Sequence, residues 1–111
     1  DTGHLYYAGI DPVVFIESNL DRIEHVHFKD VRKEEFKRYD SSSDSFLNTI
    51  LSGIFTVPGD GCIDFSSIVK ILQQNHYNGW IIVEAEQDPD KADPLHYAIS
   101  ARNYLNSISI N

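Results

Sequence analysis

Asn78-Gly79-Trp80-Ile81-Ile82-Val83-Glu84 is the stretch that decides the fold. Asn-Gly is a turn that closes the unit before it. The four apolar residues that follow form a near-continuous run, as in a strand covered on both faces of a parallel sheet. Upstream, Asp64 caps a helix whose Phe65, Ile68, Val69 and Leu72 keep the i, i+3, i+4, i+7 spacing of one buried face. Before it, Pro58-Gly59-Asp60-Gly61 reads as a tight turn. Ile23 to Phe28 reads as a strand, and Asp11-Pro12 as the cap and first residue of a helix with Val13, Ile16 and Leu20 on one face. From Asp30 to about Gly53 the chain makes a polar excursion, most loop-like at Ser41-Ser42-Ser43. Downstream, Asp93-Pro94 opens a last helix, with Leu95, Ile99 and Leu105 expected to face inward. The order is strand end, helix, strand, long loop, helix, strand, helix: an α/β rhythm of βα units with parallel strands.

The 111 residues suit a single domain, and 41% hydrophobic with 12% aromatic content is enough for an ordinary core. Nine basic residues against seventeen acidic ones give a formal charge of −8. That field repels polyanions, so nucleic acid and anionic membrane are poor partners. A single cysteine, Cys62, cannot form an internal disulfide, which excludes a disulfide-stabilised scaffold and fits a reducing cytoplasm. Cys62 itself follows the turn and is expected to be a small buried side chain. No stretch approaches the roughly 18 apolar residues of a membrane span, and the first residues lack the shape of a signal peptide. The chain opens on Asp1 and contains no methionine, so it is expected to have been cut from something longer or to have lost its start.

In parallel α/β sheets, ligands bind where strand ends and βα loops converge. The polar residues at those places are Asp1-Thr2-Gly3-His4, His25-Val26-His27-Phe28-Lys29-Asp30 and Glu84-Ala85-Glu86. Side chains alternate along a strand, so Ile23, His25 and His27 share a face while Val26 and Phe28 point the other way. A carboxylate directly after four apolar strand residues, as Glu84 is, is costly to bury unless a cation neutralises it. Asp1, His27 and Glu84 thus form a mixed nitrogen and oxygen set at three expected strand ends, suited to Mn²⁺, Co²⁺, Fe²⁺ or Zn²⁺ rather than Ca²⁺. Taken singly, His27 also fits a satisfied interior histidine, and Glu84 an ion pair with Lys29 or Arg32.

The motifs DTGH (1–4), HVHFKD (25–30), GDGCIDF (59–65) and VEAEQDP (83–89) occur in an order that resembles the C-terminal part of the xylose isomerase-like barrel superfamily. Within it, the stretches FTVPGDGCIDF and VEAEQDP are most similar to the inosose dehydratases, which remove water from 2-keto-myo-inositol (scyllo-inosose) in inositol catabolism. DTGH and HxH recur across the superfamily and identify it only broadly. The resemblance implies a metal site of Asp1, His27 and Glu84, with Mn²⁺ or Co²⁺ and a possible glutathione dependence, for which no motif stands here. It makes His4 a substrate contact and candidate acid, and Glu84 a candidate base as well as a ligand. Lys29 and Arg32 lie where cations hold hydroxyls or a developing enolate, although both also read as solvated loop charges. His25 is expected to pack near the ligands, and Glu86 and Asp88 to be loop carboxylates.

A complete (β/α)₈ TIM barrel needs about 250 residues. Residues 1–111 are therefore expected to be its C-terminal part, about three βα units corresponding to strands 6 to 8, with 30–57 as an inserted excursion. The fourth ligand of the family pattern, a glutamate, would lie outside this chain. The chain alone is then expected not to turn over its keto-polyol substrate unless joined by an N-terminal barrel half or by a second copy. Sugar isomerase or epimerase activity, or a non-catalytic barrel fragment, are the other readings.

Overall fold

The computed structural model describes residues 1–108. Its elements run α1 (Thr2–Tyr7), α2 (Pro12–Asn19), a 3₁₀ turn at Leu20–Arg22, β1 (His25–Phe28), β2 (Asp30–Val31), α3 (Lys33–Arg38), α4 (Phe46–Ser52), β3 (Phe55–Thr56), α5 (Phe65–Gln74), β4 (Trp80–Val83) and α6 (Pro94–Ser107). β1 and β4 pair in parallel, with His25 opposite Trp80 and Phe28 opposite Val83, and α5 lies in the connection between them. Parallel neighbours cannot be joined by a tight turn, so a helix in the crossover is what this pairing requires. Among the described residues no helix is long and apolar enough to cross a membrane.

The expected helix starts stand where the capping residues put them. Asp11, Asp64 and Asp93 each accept backbone N–H groups of the first turn, and proline occupies the first turn of α2 and α6. On α5 the residues Phe65, Ile68, Val69 and Leu72 are all buried, and each such burial is worth about 1.5–3 kcal/mol. The core centres on Phe28, Val31, Ile54, Phe55, Phe65 and Ile68, all with no solvent exposure. Phe28 and Phe65 meet at a ring separation of 5.0 Å, which locks β1 onto α5.

Four expectations are corrected. The 30–57 stretch folds instead of looping out: β2 and β3 pair antiparallel, Asp30 opposite Thr56, and α3 and α4 lie between them. Ser45 caps α4 and Gly53 ends it in the left-handed conformation, so this helix carried ordinary boundary signals. β4 is not covered on both faces: Trp80 is 76% exposed, and Ile82 and Val83 are also open, because β1 is its only strand neighbour among the described residues. On α6, Leu105 is buried as expected, but Leu95 and Ile99 are exposed. That helix packs through Ala101, Tyr104 and Leu105 near its C-terminal end. Cys62 is exposed, since the turn that precedes it lies at the surface.

Candidate metal centre

Two side chains of the cluster are aimed by the ends of the parallel pair. In β1, Val26 and Phe28 are buried, which turns His27 to the opposite face, where it is half-buried. Glu84 is the first residue after β4, and its N–H donates to the Phe28 carbonyl at 3.0 Å, so the ladder holds it in register. Asp1 arrives differently from the expected strand end: it is the N-cap of α1. Its Oδ1 accepts the His4 N–H at 2.9 Å, which leaves Oδ2 for the cluster.

What seats α1 there is Thr2, a buried residue. Its hydroxyl donates to the Lys29 carbonyl at 2.7 Å and accepts the Lys29 N–H at 3.0 Å. Gly3 completes the joint, because a Cβ at that position would lie 2.7 Å from Lys29 Cγ and 2.9 Å from Cδ. Only glycine lets the helix approach the lysine stem this closely.

One donor atom from each of Asp1, His27 and Glu84 lies within 4.8 Å of the others. His27 Nδ1 is 3.3 Å from Glu84 Oε1 and 3.7 Å from Asp1 Oδ2. Ligands that each sit about 2.0–2.2 Å from one ion are separated by such distances. Asp1 Oδ2 is the buried polar atom that accepts no well-angled hydrogen bond among the described residues. A buried carboxylate oxygen in that state suits a cation, and the nitrogen and oxygen donor set suits a first-row divalent metal.

A fully buried lysine already stands in this cluster. Lys29 Nζ is 3.1 Å from Asp1 Oδ2 and 3.0 Å from Glu84 Oε2, and it donates to Glu86 Oε2. Its head lies over the Phe55 ring, with Nζ 5.4 Å from the centroid. The Lys29 ammonium holds the Glu84 carboxyl below its ordinary range, outweighing the opposing effect of burial. His4 Nε2 is 2.8 Å from Glu86 Oε2, and its ring packs edge-on against Phe55 at 5.4 Å.

The remaining candidates are placed as follows. Arg32 donates to the Gly53 carbonyl at 2.8 Å, Thr56 Oγ1 at 3.1 Å, Asp60 Oδ2 at 2.9 Å and the Tyr97 hydroxyl at 3.2 Å. These bonds tie α4, β3, the 58–61 turn and α6 together. His25 is exposed, its ring 5.3 Å from that of His27. Asp88 shapes a local turn by accepting the Asp90 N–H. Glu86, expected as a loop carboxylate, instead enters the cluster. Its two-residue spacing from Glu84 was the available signal, but the turn of chain that brings it in was not readable. Asp30 was also missed as an anchor: its fully buried carboxylate accepts N–H groups from Val31, Gly59, Gly61 and Ile63.

A family model described as "Xylose isomerase-like TIM barrel" matches residues 1–108. Among curated proteins, the inosose dehydratase of Halalkalibacterium halodurans is 52% identical over 105 residues, 95% of this chain and 35% of its own length. That of Clostridium tetani is 51% identical over the same shares, and that of Salmonella typhimurium is 49% identical over 100% of this chain and 37% of its own. The chain thus spans about a third of the length of the curated relatives it matches. With parallel strands, a helical crossover and a strand-end cluster of this kind, the chain belongs to the xylose isomerase-like TIM barrel family.

Proposed function

We propose that this chain supplies Asp1, His27 and Glu84 to a divalent-metal centre, Mn²⁺ or Co²⁺, in a barrel that dehydrates 2-keto-myo-inositol. The observation that carries the reading is the convergence of the three donors, with the buried Asp1 Oδ2 held by the charge of Lys29 at 3.1 Å and by no well-angled hydrogen bond among the described residues. The substrate class comes from the relatives, which are inosose dehydratases at about half identity over nearly the whole chain.

A bound divalent ion supplies Lewis acidity to a carbonyl and a neighbouring hydroxyl. The residues do the rest. Glu84 presents Oε1 toward His27 and Oε2 toward Lys29, and the lysine keeps it ionised, ready to take the proton from the carbon beside the carbonyl. Lys29 places a buried positive charge where the developing oxyanion needs one. His4, half-exposed and held by Glu86, is the acid that gives a proton to the departing hydroxide. Arg32 acts by bracing the wall formed by β3 and the 58–61 turn, on which a polyol would rest. The setting is a reducing cytoplasm, in keeping with one unpaired, exposed cysteine. Turnover belongs to a barrel that contains this chain; the edge of β4 opposite β1, beside the exposed Trp80, Ile82 and Val83, is where further strands, from an N-terminal half or a second copy, would pair.

The test is Mn²⁺ and Co²⁺ titration by calorimetry, with an inosose dehydration assay run with and without an N-terminal barrel half. Stoichiometric binding lost in His27→Ala and Glu84→Gln is the expected result. Unchanged affinity in both variants would support a non-catalytic fragment. An epimerised or isomerised product, rather than loss of water, would move the chain to the isomerase and epimerase branch.

A further inference from the structure

A buried lysine and a divalent cation are awkward neighbours. The Lys29 ammonium stands 3.1 Å and 3.0 Å from oxygens of Asp1 and Glu84, the two carboxylates that any metal at this site would also use. Left alone with them, it is a built-in competitor for the cation. The chain places one further carboxylate here. Glu86 Oε2 faces Lys29 Nζ on one side and His4 Nε2, at 2.8 Å, on the other. When His4 carries its proton on Nε2 and gives it to Glu86, that nitrogen has no lone pair left for the lysine 3.2 Å away. Both donors then converge on the one Glu86 oxygen.

The backbone adds to the case. Glu86 has φ of +46°, and His76 is the other described non-glycine residue with positive φ. A residue with a Cβ takes this conformation at a cost and keeps it only where its surroundings impose it. The bend carries the side chain into the cluster two residues after Glu84, beside a lysine with no solvent exposure. The charges are consistent: Asp1, Glu84 and Glu86 against Lys29 leave the cluster two negative charges, which a divalent ion balances.

We propose that Glu86 is a positioning residue: its carboxylate, the nearest to the Lys29 ammonium and also bonded to the His4 ring, offsets that charge and so lets a divalent cation compete for Asp1 and Glu84 with a buried lysine beside them. This rests on the metal reading above, and it explains why a lysine is tolerated within reach of two metal ligands.

The test is Mn²⁺ affinity of the chain by calorimetry for wild type, Glu86→Gln, Lys29→Met and the double variant, with far-UV circular dichroism to establish folding. Glu86→Gln keeps the shape and removes the charge, and is expected to weaken Mn²⁺ binding about tenfold or more. Removing the competitor as well should return the double variant to within about threefold of wild type, a coupling that loss of loop structure does not produce. A second measurement needs no metal: ring-¹⁵N resonances of His4 should report the Nε2–H form in wild type and lose that bias in Glu86→Gln. Wild-type affinity in Glu86→Gln overturns the proposal, as does a double variant as weak as Glu86→Gln. If His27→Ala abolishes binding and Glu86→Gln does not alter it, only the role of Glu86 fails. If the wild type takes up no Mn²⁺, the metal reading fails and the proposal with it.

Discussion

Replacing Asp30 by asparagine keeps the shape of a fully buried side chain and removes half of its accepting capacity. Oδ1 accepts the N–H groups of Val31 at 2.8 Å and Ile63 at 3.0 Å, and Oδ2 those of Gly59 at 3.1 Å and Gly61 at 2.9 Å. Whichever way the amide is turned, its NH₂ confronts two backbone donors, which are left unsatisfied. Each buried donor without a partner costs about 1–3 kcal/mol. Against this, burial of the charged carboxylate is itself unfavourable: desolvation raises the Asp30 carboxyl above its ordinary value, and the four N–H groups only partly pull it back. The neutral amide escapes that cost, which places the expected net loss at about 2–4 kcal/mol. Urea denaturation followed by far-UV circular dichroism measures the loss. Amide hydrogen exchange localises it, because Gly59, Gly61 and Ile63 should open more readily than the core of α5. A loss under about 1 kcal/mol, with unchanged exchange at those three amides, would refute the claim that Asp30 holds the turn. Gly61 depends on the same joint, since a Cβ there would collide with the Asp30 carboxylate and the Val31 carbonyl.

Gly3→Ala is expected to destabilise the chain by about 1–3 kcal/mol in the same assay, because the new methyl meets the Lys29 stem rather than solvent. The sign is decisive, as an uncrowded helical glycine is stabilised by alanine by up to about 1 kcal/mol. Phe65→Ala, with no exposure in the wild type and packed on Phe28, should cost about 3–5 kcal/mol, read as a lowered urea midpoint. Asp64→Ala removes the cap of α5 and should cost about 1 kcal/mol at neutral pH. Hydrogen bonds from Ser67 hold the Asp64 carboxyl below its ordinary value, so its contribution is present above the unfolded value and is lost as pH falls through the folded one. The difference between wild type and this variant should therefore vanish in acid. Trp80→Ser should change stability by no more than about 0.5 kcal/mol, since that ring is 76% exposed on the open side of β4.

Three helices, α2, α5 and α6, were legible because their signals are local. Asp11-Pro12, Asp64 and Asp93-Pro94 each name a first turn by residue chemistry alone, and the spacing of Phe65, Ile68, Val69 and Leu72 can be satisfied by one buried helical face. The strand at His25–Phe28 was likewise readable from alternation, together with the direction in which His27 faces. Glu84 could be singled out because a carboxylate directly after an apolar strand is unfavourable without a partner, His27 because alternation turns it away from the buried face, and Asp1 because the polar DTGH stretch stands at an expected strand end. Failures arose where the outcome depends on what lies beside an element in space. Trp80-Ile81-Ile82-Val83 has the composition of a doubly covered strand, yet its exposure depends on how many neighbours pair with it. The polar 30–57 stretch folds because β2 finds β3 across more than twenty residues and Asp30 finds three amides of the turn beyond. Local chemistry thus determined α2, α5 and α6, the parallel strands and the candidate donors. Only the tertiary structure decided that Asp1 comes from a helix cap, that Lys29 is buried among the carboxylates, and that Glu86 reaches it, because those contacts join residues up to 57 positions apart that no spacing rule connects.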